Sequence, residues 1–264
     1  MAMGNRSARS TVWEIAKYVL VAAAVAWLLT RGAGRLTYHW QWYRIPGYLL
    51  DRQDGVLTIG PLLQGLWVTL KVTAVSLLLS LACGLTTALL RLSDSALGRW
   101  LARGYLELIR NTPLLVQLFF IYFVLAPVLD LGGFVSAVLA LSLFEGAYMS
   151  EIFRAGIVSI PKGQWEAAFS IGLGRYHTYR LVILPQAARR TIPPLTGQIV
   201  SLVKDSALVS TIAIYDLSMQ AQAIIAETYL VFEIWLVVAA IYLAITMSLS
   251  TLTHALEQRW KVDV

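Results

Sequence analysis

In this chain of 264 residues, 58% are hydrophobic and 14% are charged, against roughly 45–50% and about 25% in a soluble domain. A mean hydropathy of +0.68 accompanies apolar runs longer than a buried core helix needs, so the lipid bilayer is part of the fold. The net charge of +6, with no basic soluble segment to carry it, reads as membrane topology and argues against a nucleic-acid partner.

Six segments approach or exceed the roughly 20 residues that a helix needs to cross a ~30 Å hydrocarbon layer. They are 13–30, 62–90, 105–127, 134–157, 191–214 and 232–255. The first follows Arg6 and Arg9 and resembles a secretory signal in length. No clean small-x-small cleavage site follows the apolar stretch Tyr18 to Leu29 before Arg31, and more spans come after, so an uncleaved anchor is expected. Between Arg31 and Gly60, Tyr38, Trp40, Trp42, Tyr43 and Tyr48 cluster beside basic residues, the composition of a membrane-interface segment. The lone cysteine, Cys83, lies inside the second span and excludes an intramolecular disulfide. Three scattered histidines, His39, His177 and His254, make an imidazole metal centre improbable, and no metal is expected.

Positive charge is retained on the cytoplasmic side. The connection after the second span carries Arg91, Arg99 and Arg103; the long one after the fourth carries Lys162, Arg175, Arg180, Arg189 and Arg190. The tail has Arg259 and Lys261, whereas 128–133 and 215–231 have neither Lys nor Arg. Both termini are therefore expected in the cytoplasm, although this sends Arg31, Arg35, Arg44 and Arg52 outward, against the rule.

The connection 158–190 has the composition of a folded element. Pro161 suits a first helical turn, Lys162 to Leu173 is rich in helix formers, and Gly172 and Gly174 supply a stop. A second short helix, Arg175 to Leu184, is expected to end or kink at Pro185. Two readings of this helix-turn-helix stand on pattern alone. It rests on lipid headgroups, or it offers Glu166, Ala167, Ala168 and Gly172 to a soluble partner whose backbone approaches the small side chains.

At ~1.5 Å per residue, Glu145 falls about 16 Å below the outer edge of 134–157 and Lys204 about 20 Å above the inner edge of 191–214, both near mid-membrane. Ionisable groups there face the protein interior or a water-filled cavity. The fifth span is also rich in polar residues, and Gln198, Ser201, Lys204 and Asp205 join Glu145 as candidates to line a substrate path. The alternative is a structural network in which Lys204, Asp205 and Glu145 neutralise one another. Lys71 is expected to snorkel to headgroups, Glu151 and Arg154 to form a local helix pair, and Arg110 to anchor the third span at the interface. Pro193-Pro194 is a candidate hinge.

Glu166-Ala167-Ala168, Gly172 and Val182-Ile183-Leu184-Pro185 resemble the EAA-x3-G-x9-I-x-L-P signature of ATP-binding-cassette (ABC) importer permeases, with Val182 where the family usually has isoleucine. Three further blocks, 109–117, 146–154 and 201–208, resemble the permeases of importers for histidine, glutamate, aspartate, glutamine and arginine. The resemblance spans about residues 61–257. It implies an all-α integral membrane fold with about six transmembrane helices: a five-helix type I permease core, one added N-terminal helix, and a cytoplasmic coupling helix. The expected organisation is an anchor and interfacial segment over 1–60, the permease domain over 61–257 and a tail over 258–264.

The resemblance further implies a bacterial-type inner membrane location, two ABC ATPase subunits, a second permease, identical or related, and an extracytoplasmic amino acid binding protein. Glu166, Ala167, Ala168, Gly172 and Pro185 would couple to the ATPase. No Gly-Lys pair occurs in the chain, so the phosphate-binding loop of P-loop NTPases is absent; ATP and Mg belong to the partner, and no catalysis is expected here. A polar amino acid is the expected substrate, acidic ones slightly ahead on account of Lys204. A secondary transporter is the main alternative, and it would ordinarily need more spans and an internal repeat. A non-transport membrane scaffold leaves the EAA-like block unexplained.

Overall fold

The computed structural model describes residues 38–53 and 56–260, together with 13, 17–24, 27 and 31. The chain divides into two compact units, Met1–Trp42 and Tyr43–Val264. In the first, residues 17–24 are helical, and Trp40 meets Tyr38 edge-on at 5.3 Å and stacks on Trp42 at 5.7 Å. Of the expected span 13–30, residues 14–16, 25, 26 and 28–30 lie outside the described residues.

The second unit begins with a short helix α1, Ile45–Leu49, and two antiparallel strands, β1, Leu50–Gln53, and β2, Val56–Ile59. The register pairs Leu50 with Ile59 and Gln53 with Val56. This hairpin departs from the all-α expectation. Asp54-Gly55 between the two runs is a strong hairpin dipeptide, a signal overlooked when the stretch is read as plain interfacial chain.

Among the described residues, three helices are long and apolar enough to cross a bilayer unaided. They are α2, Pro61–Leu92; α5, Gly133–Val158; and α9, Val231–Trp260, whose qualifying stretch is Val231–Thr253. Two bent pairs bring the number to as many as five. The first joins α3, Ala96–Arg110, to α4, Leu114–Leu129, at 105°; the second joins α7, Arg175–Ile212, to α8, Leu217–Thr228, at 48°. The remaining helix, α6, Lys162–Ser170, lies between α5 and α7.

The expected single span 105–127 is therefore corrected. The chain breaks at Asn111–Pro113, because a residue before proline is driven out of the helical region. The break releases carbonyl groups that side chains then satisfy: Gln117 Nε2 donates to Ile109 O at 2.8 Å and to Thr112 O at 3.0 Å. A break at membrane depth is tolerated on that condition. Of the two outcomes expected at Pro185, an end or a kink, the end is excluded. α7 continues through it, after a π-helical turn over Thr178–Ile183. Pro193-Pro194 likewise sits inside uninterrupted helix.

Helices α2 and α5 face each other through small residues. α2 buries Thr69, Thr73, Ser76, Ser80 and Gly84, and α5 buries Ser142, Gly146, Ala147 and Ser150. Small residues let membrane helices approach closely where no hydrophobic force drives them together. A Cβ on Gly84 would stand 2.9 Å from Met149 Cβ, and one on Gly146 would stand 3.1 Å from Cys83 Cβ. The main apolar core joins α2, α4, α5 and α7 around Val72, Leu118, Leu141 and Leu202; a second joins α1, α2, α8 and α9 around Ile45, Leu62, Leu217 and Ile234.

Candidate translocation and coupling sites

Near the middle of α5, Glu145 is fully buried. Gln198 and Asp205 are seven residues apart, two turns along α7, and so share a face of that helix. Gln198 Nε2 donates to Glu145 Oε2 at 2.5 Å, and Asp205 approaches the same carboxyl group. Glu145 Oε1 finds no hydrogen-bond partner among the described residues. Ser201 is half-buried between these two turns, whereas Lys204 is exposed and forms no ion pair among the described residues. The structure joins Glu145, Gln198 and Asp205, and Lys204 stands on an open face with its charge still acting on the Asp205 carboxyl.

Toward the α6 end of α5, Glu151 gathers three guanidinium groups: Arg91 at 2.5 Å, Arg154 at 3.1 Å and Arg110 at 3.3 Å. The local Glu151–Arg154 pair exists but is the smaller part of a cluster uniting the ends of α2, α3 and α5. Arg110 has a partner here and is more than an interfacial anchor. Its guanidinium also lies 5.8 Å from the Tyr148 ring. Sequence spacing gave no signal for Arg91 or Arg110, since both meet Glu151 only through tertiary packing.

The EAA-like stretch forms α6 and its cap. Trp165 packs edge-on to Tyr179 at 5.0 Å above a small core of Ile157, Ile160, Ile183 and Ala187. Gln186 Nε2 donates to Gln164 Oε1 at 3.1 Å, and Arg190 donates to Ser159 O at 2.6 Å. The Trp165 and Gln164 contacts fasten α6 to α7, and Arg190 ties α7 to the end of α5. Glu166, Ala167 and Phe169 are exposed, and Ile171 is 78% exposed.

Ala168 is buried within the chain. It therefore holds α6 in place, which corrects its assignment to a surface that a partner's backbone approaches. Pro185 lies on α7 outside α6. Gly172 adopts φ +83° with open space around it. Its N–H bonds to Phe169 O at 2.9 Å and that of Leu173 to Ala168 O at 3.1 Å. That pattern is a Schellman cap, in which a left-handed residue closes the helix. The requirement for glycine is conformational, because other side chains strain that backbone.

At the start of α7, Arg175 meets Asp94 of the α2–α3 turn at 2.5 Å. The hydrogen bond from Arg175, reinforced by its charge, holds the Asp94 carboxyl below the usual carboxylate range.

Comparison with known proteins places this fold in a family. Residues 80–262 match the family model described as binding-protein-dependent transport system inner membrane component. Among curated relatives, the L-cystine transport system permease protein TcyB of Bacillus subtilis (strain 168) is 44% identical over 203 residues, 75% of this chain and 86% of the relative. The glutamine transport system permease protein GlnP of Escherichia coli (strain K12) is 39% identical over 204 residues, 76% and 93% of the two chains.

A solved amino acid ABC transporter, crystallised with histidines, superposes with a TM-score of 0.71 at 38% identity, covering 75% of this chain and 94% of that one. An inward-facing MetNI methionine ABC transporter shares the fold, with a TM-score of 0.66 at 19% identity over 76% and 97%. The chain belongs to the binding-protein-dependent transport system inner membrane component family and is a permease of the ABC transporter class.

Proposed function

We propose that this permease imports a polar amino acid as one of two transmembrane subunits, identical or related, served by two ABC ATPases and an extracytoplasmic binding protein. The observation that carries the coupling half of this reading is α6. It exposes Glu166, Ala167, Phe169 and Ile171, is sealed by the Gly172 cap, and is fastened to α7 by Trp165 and Gln164. Large apolar side chains exposed on such an element mark an interaction surface. The amino acid assignment is supported by the cystine and glutamine relatives.

In this reading α6 faces the cytoplasm, and ATP and Mg act on the partner ATPases. Closure of the ATPase dimer displaces α6, and α7 carries the displacement. One helix runs from Arg175 to the Gln198–Glu145 contact, a reach of about 35 Å. Packed elements of this kind move between discrete arrangements and do not deform gradually. At mid-membrane, Glu145, Gln198, Ser201, Lys204 and Asp205 would supply the polar groups that meet the substrate, with exposed Lys204 facing the cavity shared with the second permease.

The test is purification of the intact complex with identification of its subunits and retained amino acid. An ABC ATPase should co-purify with the unaltered chain and be lost with Ala167→Arg, while the chain still inserts in the membrane. Gly172→Leu should uncouple ATP hydrolysis from uptake. Absence of any ATPase partner, or coupled uptake at the unaltered rate in Gly172→Leu, would overturn the assignment.

A further inference from the structure

One feature outside the path and the coupling helix is a half-open cleft of about 330 Å³ between α3, α5 and the end of α2. Arg91, Arg103, Arg110, Asn111, Tyr148 and Glu151 line it. Three guanidinium groups point at one space, and Arg154 adds a fourth positive charge through Glu151. Against these four stand Glu151 and Glu107, and Glu107 already accepts a hydrogen bond from Asn111 Nδ2 at 2.9 Å. The cleft therefore carries a surplus of two positive charges. Arg103 has no ion-pair partner among the described residues.

Helix α3 fixes the depth of this cleft. At 100° per residue, Leu97, Trp100, Leu101 and Leu108 share one arc and are all exposed. Arg99, Arg103, Glu107 and Arg110 share the neighbouring arc. A helix with an exposed apolar arc including tryptophan, beside a basic arc, lies at the boundary of acyl chain and headgroup. Glu151 is also six residues beyond Glu145 toward the α6 end, about 9 Å from the mid-membrane cluster. The cleft thus stands apart from the proposed path.

We propose that this cleft binds the phosphodiester headgroup of an anionic phospholipid from the leaflet on the α6 side. Arginine forks pair bidentately with phosphate oxygens, Tyr148 adds a neutral donor, and basic pockets between membrane helices select anionic headgroups over zwitterionic ones. The site joins three helices around Glu151, so an occupied cleft braces α3 against α2 and α5.

The test uses the full chain in its purified, delipidated complex, titrated with phosphatidylglycerol or phosphatidylcholine and read by native mass spectrometry. The unaltered complex should retain phosphatidylglycerol in preference to phosphatidylcholine. Arg103→Gln, which breaks no ion pair, should weaken phosphatidylglycerol retention about fivefold, the loss of one interfacial arginine. Arg189→Gln removes the same charge from exposed α7 and should leave retention unchanged. Arg103→Lys, which keeps the charge and loses the fork, should fall between, and serves if the glutamine variant fails to assemble. Equal retention of the two lipids, or equal loss in Arg103→Gln and Arg189→Gln, would overturn the site. So would displacement of phosphatidylglycerol by inorganic phosphate together with equal retention of the two lipids, which would assign the cleft to a free anion.

Discussion

Glu145 and Glu151 sit less than two turns apart on α5, yet the protein treats them in opposite ways. Glu145 is sealed from solvent and receives one hydrogen bond from a neutral amide, Gln198. Glu151 keeps 28% of its side-chain surface and gathers three arginines. Depth accounts for the difference. An arginine near the end of a span reaches the interface and keeps much of its hydration, whereas one placed near mid-membrane costs at least about 2.5–3.5 kcal/mol. At mid-membrane the protein therefore holds its carboxyl with an amide. A polar group held in this way is left adjustable, while a cluster of ion pairs locks three helix ends together.

The largest effect should come from Glu151→Ala. Three guanidinium groups would lose their common partner, and stability should fall by about 2–3 kcal/mol, below the upper range for buried pairs because these side chains keep 21–45% exposure. Thermal unfolding of the detergent-purified complex reads this directly. An unaltered midpoint would mean that the arginines are solvated without Glu151, and the contrast with Glu145 would lose its energetic half.

Gly146→Leu comes next, because it attacks the helix contact that fixes the position of both glutamates. Its side chain would meet Cys83 Sγ and the Tyr105 hydroxyl, each 3.2 Å from the added Cβ position. Overpacking of this kind costs about 1–3 kcal/mol. Reduced expression and a lower midpoint are expected, with Gly146→Ala milder. Equal tolerance of alanine and leucine would show that α2 and α5 are not closely packed there.

Glu145→Gln sharpens the comparison most. The amide fits the same space and still accepts from Gln198, so stability should change by less than about 1 kcal/mol. Transport should fall at least about tenfold, the loss expected when a hydrogen bond to a charged group is removed from a binding path. Uptake in proteoliposomes measured beside the unfolding midpoint separates the two readouts. Loss of stability with transport intact per folded molecule would reduce Glu145 to a structural residue.

The sequence made much of this legible where a single helix carries the information. The bounds of α2, α5 and α9 follow from apolar runs, and the α6 cap from Gly172. Contacts between helices were not legible. Apolar continuity through 105–127 concealed the elbow, although Pro113 and the spacing of Arg99, Arg103, Glu107 and Arg110 both marked it. Pro185 looked like a stop or a kink because a proline lacks the helical donor; the π-helical turn before it lets the helix continue, and that turn is a tertiary choice. Lys204 and Asp205 are adjacent in sequence, so a helix must turn them to different faces. Charge at the right depth therefore named the region without naming which member was buried.

The smallest effect should belong to Asp94→Asn, which removes the partner of Arg175 in an exposed ion pair. Exposed pairs contribute little because water and salt screen them. The Asp94 carboxyl is held below its ordinary value of 3.8, so whatever it contributes is fully present above that pH and lost as acid protonates the folded state. At neutral pH the substitution should lower the unfolding midpoint only slightly and leave uptake unchanged, and the small difference in midpoint should vanish in acid. If Asp94→Asn instead cost as much as Glu151→Ala, exposure would not be what separates strong from weak ion pairs in this protein. The contact between the α2–α3 turn and the start of α7 would then be part of the coupling route.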